Sequence, residues 1–307
     1  MHYRFPLGPL TAMAIGDAAG AGFEFQPAEP YDVLKQRQSL YIQHKMYPFM
    51  PAGCYTDDTQ RAITLVQAYT PSISPGQFGE DVATRLVEAY QLDPRGYGKG
   101  MFTNLQRWTT MGKGERLRYR NNFAGLFSEE TKRESAGAVM AASILGVPHQ
   151  RIDDIRRLAR AQASITHKGN AVLAAEVVAT LANYLCKGMD RRDTRNYLAQ
   201  EFGNERLLDT TPIQAPKNLA WDCMMAALQC IEDATSLHDL LLRCISLGGD
   251  TDTVATIAMG CAWNCKSLEN DLPPCLWQEL EDGAYGRSFL RKLELQLLNR
   301  EHLSLRI

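Results

Sequence analysis

Two short acidic segments carry residue types that suit divalent-cation or acid–base chemistry. Tyr55-Thr56-Asp57-Asp58-Thr59-Gln60 leads into an apolar stripe of Ala62, Leu65, Val66 and Tyr69, and Gly248-Gly249-Asp250-Thr251-Asp252-Thr253 leads into Val254–Ala262. Each spacing predicts a helix entry, where Asp and Thr cap free amides and carboxylates meet the positive end of the helix dipole. One capping side chain satisfies one amide, so both segments hold more oxygen donors than capping uses. Adjacent carboxylates repel unless a cation or proton intervenes. Oxygen donors without His or Cys suit Mg²⁺, Mn²⁺ or Ca²⁺. Four aspartates from two helix entries, with the threonine hydroxyls, would hold two such ions side by side if the fold joins them. The competing reading is capping by solvated acids. Gly248-Gly249 would end the preceding helix and allow a tight turn into the second segment.

A third feature is Gly16-Asp17-Ala18-Ala19-Gly20-Ala21-Gly22-Phe23-Glu24-Phe25. Asp17 lies inside an apolar, small-residue helix, and Glu24 stands between two phenylalanines. Such carboxylates are ordinarily exposed at a helix end or paired with Lys or Arg. The alternative is an apolar surround that raises the pKa of Glu24 and suits it to proton transfer. The eight cysteines, at 54, 186, 223, 230, 244, 261, 265 and 275, form no C-x-x-C pair. They read as reduced thiols, with Cys223, Cys230, Cys261 and Cys265 as small buried hydrophobes.

The elements that must position these groups are helical by periodicity. Leu237, Leu240, Leu241, Cys244 and Ile245 follow the i, i+3, i+4 rule, as do Leu173, Val177, Leu181 and Tyr184 on a segment of about 170–186. Further helices are expected over 9–20, 76–91, 135–145, 151–163, 193–202, 217–233, 253–264, 275–282 and 287–298. Only Ser39–Gln43 alternates as a strand would. Alanine- and glycine-rich stretches at 12–20 and 136–142 predict helices crowded on all sides. No linker or repeat divides the 307 residues, and the Pro-containing stretches at 26–30, 47–51, 71–75 and 212–216 read as loops. The expectation is one all-α domain over 1–307.

Composition narrows the function classes. Hydrophobic residues make up 45% of the chain and charged ones 22%, and 33 Lys+Arg against 35 Asp+Glu give a formal charge of −2. No basic excess exists to hold nucleic acid by counterion release. Apolar runs such as Leu10–Ile15 fall far short of the ~18 residues of a membrane span. Met1–Pro6 lacks an apolar signal-peptide region, so a cytoplasmic protein is expected.

The ordered set Gly16-Asp17-Ala18-x-Gly20 with Glu24, then Tyr55-Thr56-Asp57-Asp58-Thr59, then Gly248-Gly249-Asp250-Thr251-Asp252-Thr253 resembles the ADP-ribosylglycohydrolase family. That family includes the dinitrogenase-reductase-activating glycohydrolase and the ADP-ribosyl-acceptor hydrolases. The resemblance implies a single large orthogonal helical bundle with a cleft holding two Mg²⁺ or Mn²⁺ ions. By motif, Thr56, Asp57, Asp58, Asp250, Asp252 and Thr253 would be their ligands. Glu24 would act as acid/base or as a gate, with Asp57 and Asp252 also catalytic. The implied reaction cleaves ADP-ribose from an acceptor: a protein side chain, a nucleic acid or a small molecule. A monomer is expected. Two alternatives stand beside this reading: a non-catalytic ADP-ribose-binding or structural member of the same fold, and a helical diphosphate enzyme. The second lacks its D-D-x-x-D pattern, because Arg61 follows Asp57-Asp58-Thr59-Gln60.

Other segments match the family less fully. Asp93–Gly100, with Tyr97, Gly98 and Gly100, resembles its substrate loop and reads equally as a plain turn. Ile165-Thr166-His167 resembles its Thr-His segment, in which the His contacts ligand, though the proline that often follows is missing. Ser135–Ala142 resembles its Asn-Gly-x-x-Met-Arg segment and retains Gly137 and Met140. Ala136 and Ala141 replace the Asn and Arg, which leaves backbone amides near Ser135 as the expected phosphate anchor. Lys113, Arg116, Arg118 and Arg120 form a basic cluster that is either a solvated loop or a rim steering an anionic substrate.

Overall fold

The computed structural model describes residues 5, 7–112, 115, 134–146 and 151–304. The chain runs through α1 (Pro9–Ala21), α2 (Tyr31–Lys35), α3 (Asp57–Ala68), α4 (Pro75–Leu92) and α5 (Lys99–Thr109). It continues through α6 (Ile152–Ala163), α7 (Asn170–Cys186), α8 (Thr194–Phe202) and α9 (Ala220–Asp233). The last helices are α10 (Leu237–Ser246), α11 (Thr251–Ala262), α12 (Pro274–Gln278) and α13 (Arg287–Ser304). Among the described residues, β pairing is confined to an isolated bridge between Ser236 and Glu269. The expected all-α class holds. No helix among these residues is long and apolar enough to cross a membrane.

The bundle is organised around α1 and α11, in which every residue is buried. A helix covered on all sides must be apolar nearly all round, and the runs of Ala, Gly, Met and Ile supply that. Small residues also let the two backbones touch. A Cβ on Gly16 would lie 2.5 Å from the carbonyl oxygen of Ala255, and one on Gly20 would lie 2.5 Å from Cα of Asp252. The Thr251 hydroxyl donates to the Gly20 carbonyl at 2.9 Å, fixing the first turn of α11 against α1. The other end of α1 is tied to α13: the amide and hydroxyl of Thr11 donate to the buried Glu294 carboxylate at 3.0 Å each. The helices α3, α7, α9, α10 and α13 pack around this pair.

Two expected elements differ. Residues 135–145 are not one helix but two 3₁₀ turns, Ala136–Ala138 and Ala142–Leu145. Their backbone groups are claimed from outside: the Ala136 amide donates to Asn218 Oδ1 at 3.0 Å, and the Ala138 carbonyl accepts from Gln162 Nε2 at 2.7 Å. Ser39–Gln43 forms no strand, and side chains tie it down instead. Ser39 Oγ donates to Glu279 at 2.7 Å and Tyr41 Oη to the Leu276 carbonyl at 2.6 Å. The expected helix 275–282 stops at Gln278, where Arg287 donates to the Gln278 and Leu280 carbonyls. The eight cysteines are all free thiols. The basic cluster Lys113, Arg116, Arg118 and Arg120 lies outside the described residues.

The backbone contact at Gly20 leaves no room for a methyl group. Gly20→Ala is expected to lower stability by about 1–3 kcal/mol. Gly76→Ala, at a helical position with no atom within 4 Å of the added carbon, is expected not to lower it. Urea denaturation of the two variants checks the contrast.

Candidate active site

The site begins with Asp17, a fully buried carboxylate in the middle of apolar α1. One oxygen accepts from the amide and hydroxyl of Thr56, both at 2.9 Å. The other accepts from the amide and hydroxyl of Thr59 at 2.9 and 2.6 Å. These are the free donors of the first turn of α3, so Asp17 caps that helix from across the core. Burial raises its pKa to about 6 against the four bonds, which pull it down. A Lys or Arg partner, or exposure at a helix end, was the expectation for such a residue. Two threonines and their amides take that part instead.

With Asp17 and Thr56 capping α3, the carboxylates of Asp57 and Asp58 are released from that task. Asp58 is buried and its Oδ1 has no hydrogen-bond partner. Asp57 is half-buried and faces the cavity. The second segment arrives by a turn in which Gly248 and Gly249 both have positive φ, 69° and 72°. A Cβ on Gly249 would lie 2.5 Å from the Ala215 carbonyl carbon, so only glycine fits there. The Asp250 amide donates to the Pro216 carbonyl at 2.9 Å, and α11 begins at Thr251. Asp250 and Asp252 are both buried.

Glu24, Thr56, Asp57, Asp58, Asp250, Asp252 and Thr253 line one cavity of about 750 Å³. Their crowding is electrostatically costly. Burial, then repulsion from Asp17 and Glu24, holds Asp57 well above the usual carboxylate range. Burial, Asp17 and Asp57 do the same to Asp58, and burial, Glu24 and Asp58 to Asp252. Burial raises Asp250 to about 6. Hard oxygen donors, an unpartnered buried carboxylate oxygen and mutual repulsion are what a divalent cation would relieve, so this donor set fits Mg²⁺ or Mn²⁺.

Glu24 is flanked differently than its neighbours in sequence imply. Phe23 is buried, but Phe25 is exposed. The group facing Glu24 is His44, whose Nε2 lies 3.2 Å from Glu24 Oε2. Glu24, His44 and Asp252 each place one ligand-type atom within 4.8 Å of the others.

The remaining predicted residues line the same cavity. Tyr97 is buried, its hydroxyl donating to Gln60 Oε1. Arg95, bonded to Asp93 and Glu281, secures this loop. Gly98 and Gly100 stand at the start of α5, with nothing within 4 Å of an added Cβ. His167 Nε2 lies 2.9 Å from Ser135 Oγ, and Nδ1 lies 2.7 Å from Thr166 Oγ1. Gly137 adjoins that ring, and a Cβ there would sit 3.3 Å from His167 Cε1. The expectation that amides near Ser135 hold phosphate is corrected at Ala136, whose N–H is already bonded to Asn218. The segment is a three-residue 3₁₀ turn, without the aligned dipoles of an α-helix.

Among the cavity residues that sequence reasoning missed, three have polar side chains with clear roles. Asn218 holds the 136–138 turn. Arg61 is buried and donates from Nη2 to Gln162 Oε1 at 3.1 Å. Burial lowers its pKa to about 10, opposed by Asp57 one turn before it. Its position on the apolar face of α3 was a readable signal. His44 sits between elements and had none.

A family model described as ADP-ribosylglycohydrolase matches residues 6–304. The ADP-ribosylhydrolase ARH3 of Bos taurus is 26% identical over 336 residues, covering 90% of this chain and 88% of its own. The ADP-ribosylarginine hydrolase Tri1 of Pseudomonas putida (strain GB-1) is 25% identical over 276 residues, covering 82% of this chain and 67% of its own. A solved structure, an ADP-ribosylglycohydrolase-related protein complex, has the same fold, with a TM-score of 0.71, 20% identity and 96% of both chains covered. With nearly its whole length matched, the chain belongs to the ADP-ribosylglycohydrolase family.

Proposed function

We propose that this chain is a metal-dependent ADP-ribosyl glycohydrolase that removes ADP-ribose from an acceptor. The observation that carries the reading is the meeting of the α3 and α11 entries, with Glu24, around one cavity. Relatives named as an ADP-ribosylhydrolase and an ADP-ribosylarginine hydrolase support the reaction class. The working unit is one domain over 1–307 and a monomer. Eight free cysteines support a reducing compartment such as the cytoplasm.

Thr56, Asp57, Asp58, Asp250, Asp252 and Thr253 would hold two Mg²⁺ or Mn²⁺ ions. Such a pair, when bound, supplies Lewis acidity to ribose hydroxyls and to a water. The bond between C1″ of the distal ribose and the acceptor breaks. Water adds its hydroxyl to C1″ and its proton makes good the acceptor. Asp57 and Asp252 place negative charge beside the oxocarbenium character that develops at C1″. Glu24 moves the proton, toward the departing acceptor or from the attacking water. Tyr97, Gly98, Gly100, Ser135, Gly137 and His167 hold the rest of ADP-ribose. Gly137 places no side chain against His167, and the first turn of α5 offers amides that no side chain caps.

Incubating a panel of ADP-ribosylated acceptors with Mg²⁺, Mn²⁺ or chelator tests this. Release from at least one acceptor, abolished by chelator, is expected. ADP-ribose binding without any release would contradict it and favour a binding module. Glu24→Gln is expected to lower kcat by about 10²–10⁴-fold. Asp250→Ala is expected to lose metal and activity while circular dichroism stays native. Asp17→Asn turns an amide donor toward donors of Thr56 or Thr59, so it is expected to lower both the thermal midpoint and metal affinity.

The raised carboxylate pKa values add a pH dependence. In metal-free protein, Asp17 and Asp250 bind protons more tightly folded than unfolded. Their contribution favours the fold below about pH 4 and is lost as pH rises through about 6. The rise in thermal midpoint on adding Mg²⁺ is therefore expected to be larger at pH 7 than at pH 5; equal rises would contradict it.

A further inference from the structure

His44 is a buried histidine in the segment between α2 and α3, 3% exposed, and its ring packs on Tyr47. Its Nδ1 accepts from the Met46 amide at 3.1 Å and from the Tyr47 amide at 3.2 Å. A nitrogen that accepts cannot carry a proton, so the neutral ring carries its proton on Nε2. That nitrogen lies 3.2 Å from Glu24 Oε2, within ion-pair reach but not aligned as a hydrogen bond, and is otherwise buried without a partner.

With Glu24 and Asp252 close by, the trio has the look of a three-ligand metal site. The tautomer argues against it. A ligating histidine keeps its proton on the other ring nitrogen and donates it to an acceptor. Here the other nitrogen faces two donors, so ligation through Nε2 would require an imidazolate.

We propose that His44 is a positioning residue for Glu24: its backbone-fixed Nε2–H holds Oε2 and leaves Oε1 for proton transfer. Glu24 needs such a holder. Among the described residues of the cavity it faces Asp57, Asp250 and Asp252, which repel it. The two amides that fix the imidazole belong to the same loop, so the donor is set by backbone geometry before substrate arrives. The proposal rests on the role given to Glu24 above.

Three measurements test it. In Mg²⁺-loaded protein, ¹⁵N NMR of the His44 ring is expected to report a proton on Nε2; a proton on Nδ1 would overturn the proposal. In Mn²⁺-loaded protein, electron spin echo spectra are expected to contain no imidazole ¹⁴N coupling that His44→Gln removes; such a coupling would make His44 a ligand and overturn the proposal. His44→Ala is expected to lower kcat by about 10²-fold, with KM and Mn²⁺ stoichiometry unchanged and no further loss in a Glu24→Gln background. His44→Gln, which keeps an N–H at similar reach, is expected to recover most of the rate. Unchanged kcat in His44→Ala, or full additivity with Glu24→Gln, would overturn it. If no acceptor is turned over by the wild type, the glycohydrolase reading fails, while the ¹⁵N and spin-echo results still decide the role of His44.

Discussion

The carboxylate of Asp17 holds the structure's most consequential contacts. Its four hydrogen bonds join the centre of α1 to the first turn of α3. Three residues further on, Gly20 brings α1 into backbone contact with the first turn of α11. One helix therefore fixes both acid-bearing entries at once, and α3, α10, α11 and α13 pack against it. A carboxylate inside an apolar helix is unfavourable unless its bonds are complete. Here they are, and the bonds also free Asp57 and Asp58 from capping.

The cavity that results is a deliberate electrostatic conflict. Asp57, Asp58, Asp250 and Asp252 are pushed toward protonation by burial and by one another. Two nearby guanidinium groups among the described residues are engaged elsewhere: Arg61 is turned toward Gln162, and Arg95 is occupied by Asp93 and Glu281. A hard divalent ion would resolve it. The same concentration of charge suits a reaction that builds positive character on a sugar carbon. A net charge of −2 over the whole chain conceals it entirely.

Much of this is legible in the sequence, because the signals are local. Helical periodicity, the double glycine before Asp250 and the excess of oxygen donors over capping needs all lie within a few residues of one another. All of the predicted site residues line one cavity, though Tyr97, Gly98, Gly100, Ser135, Gly137 and His167 were picked out by resemblance to the family and not by local signals. What escapes is set by distant partners. Asp17 reads as an exposed or paired acid until Thr56 and Thr59 are seen above it. The stretch 135–145 has helix-forming alanines, yet Asn218 and Gln162 take its backbone groups and leave two 3₁₀ turns. Ser39–Gln43 has strand-like alternation but no neighbour with which to pair. His44 gains its meaning from two amides that follow it and from a glutamate twenty residues before it.

Two helix entries, joined through α1, line one cavity whose carboxylates would hold two cations under the function proposed above. Electron paramagnetic resonance of the protein titrated with Mn²⁺ tests it most directly. Binding of two ions per chain with a spin-coupled spectrum is expected, as for ions about 3.5–4 Å apart. An isolated six-line Mn²⁺ signal at saturation, or no tight binding at all, would contradict it.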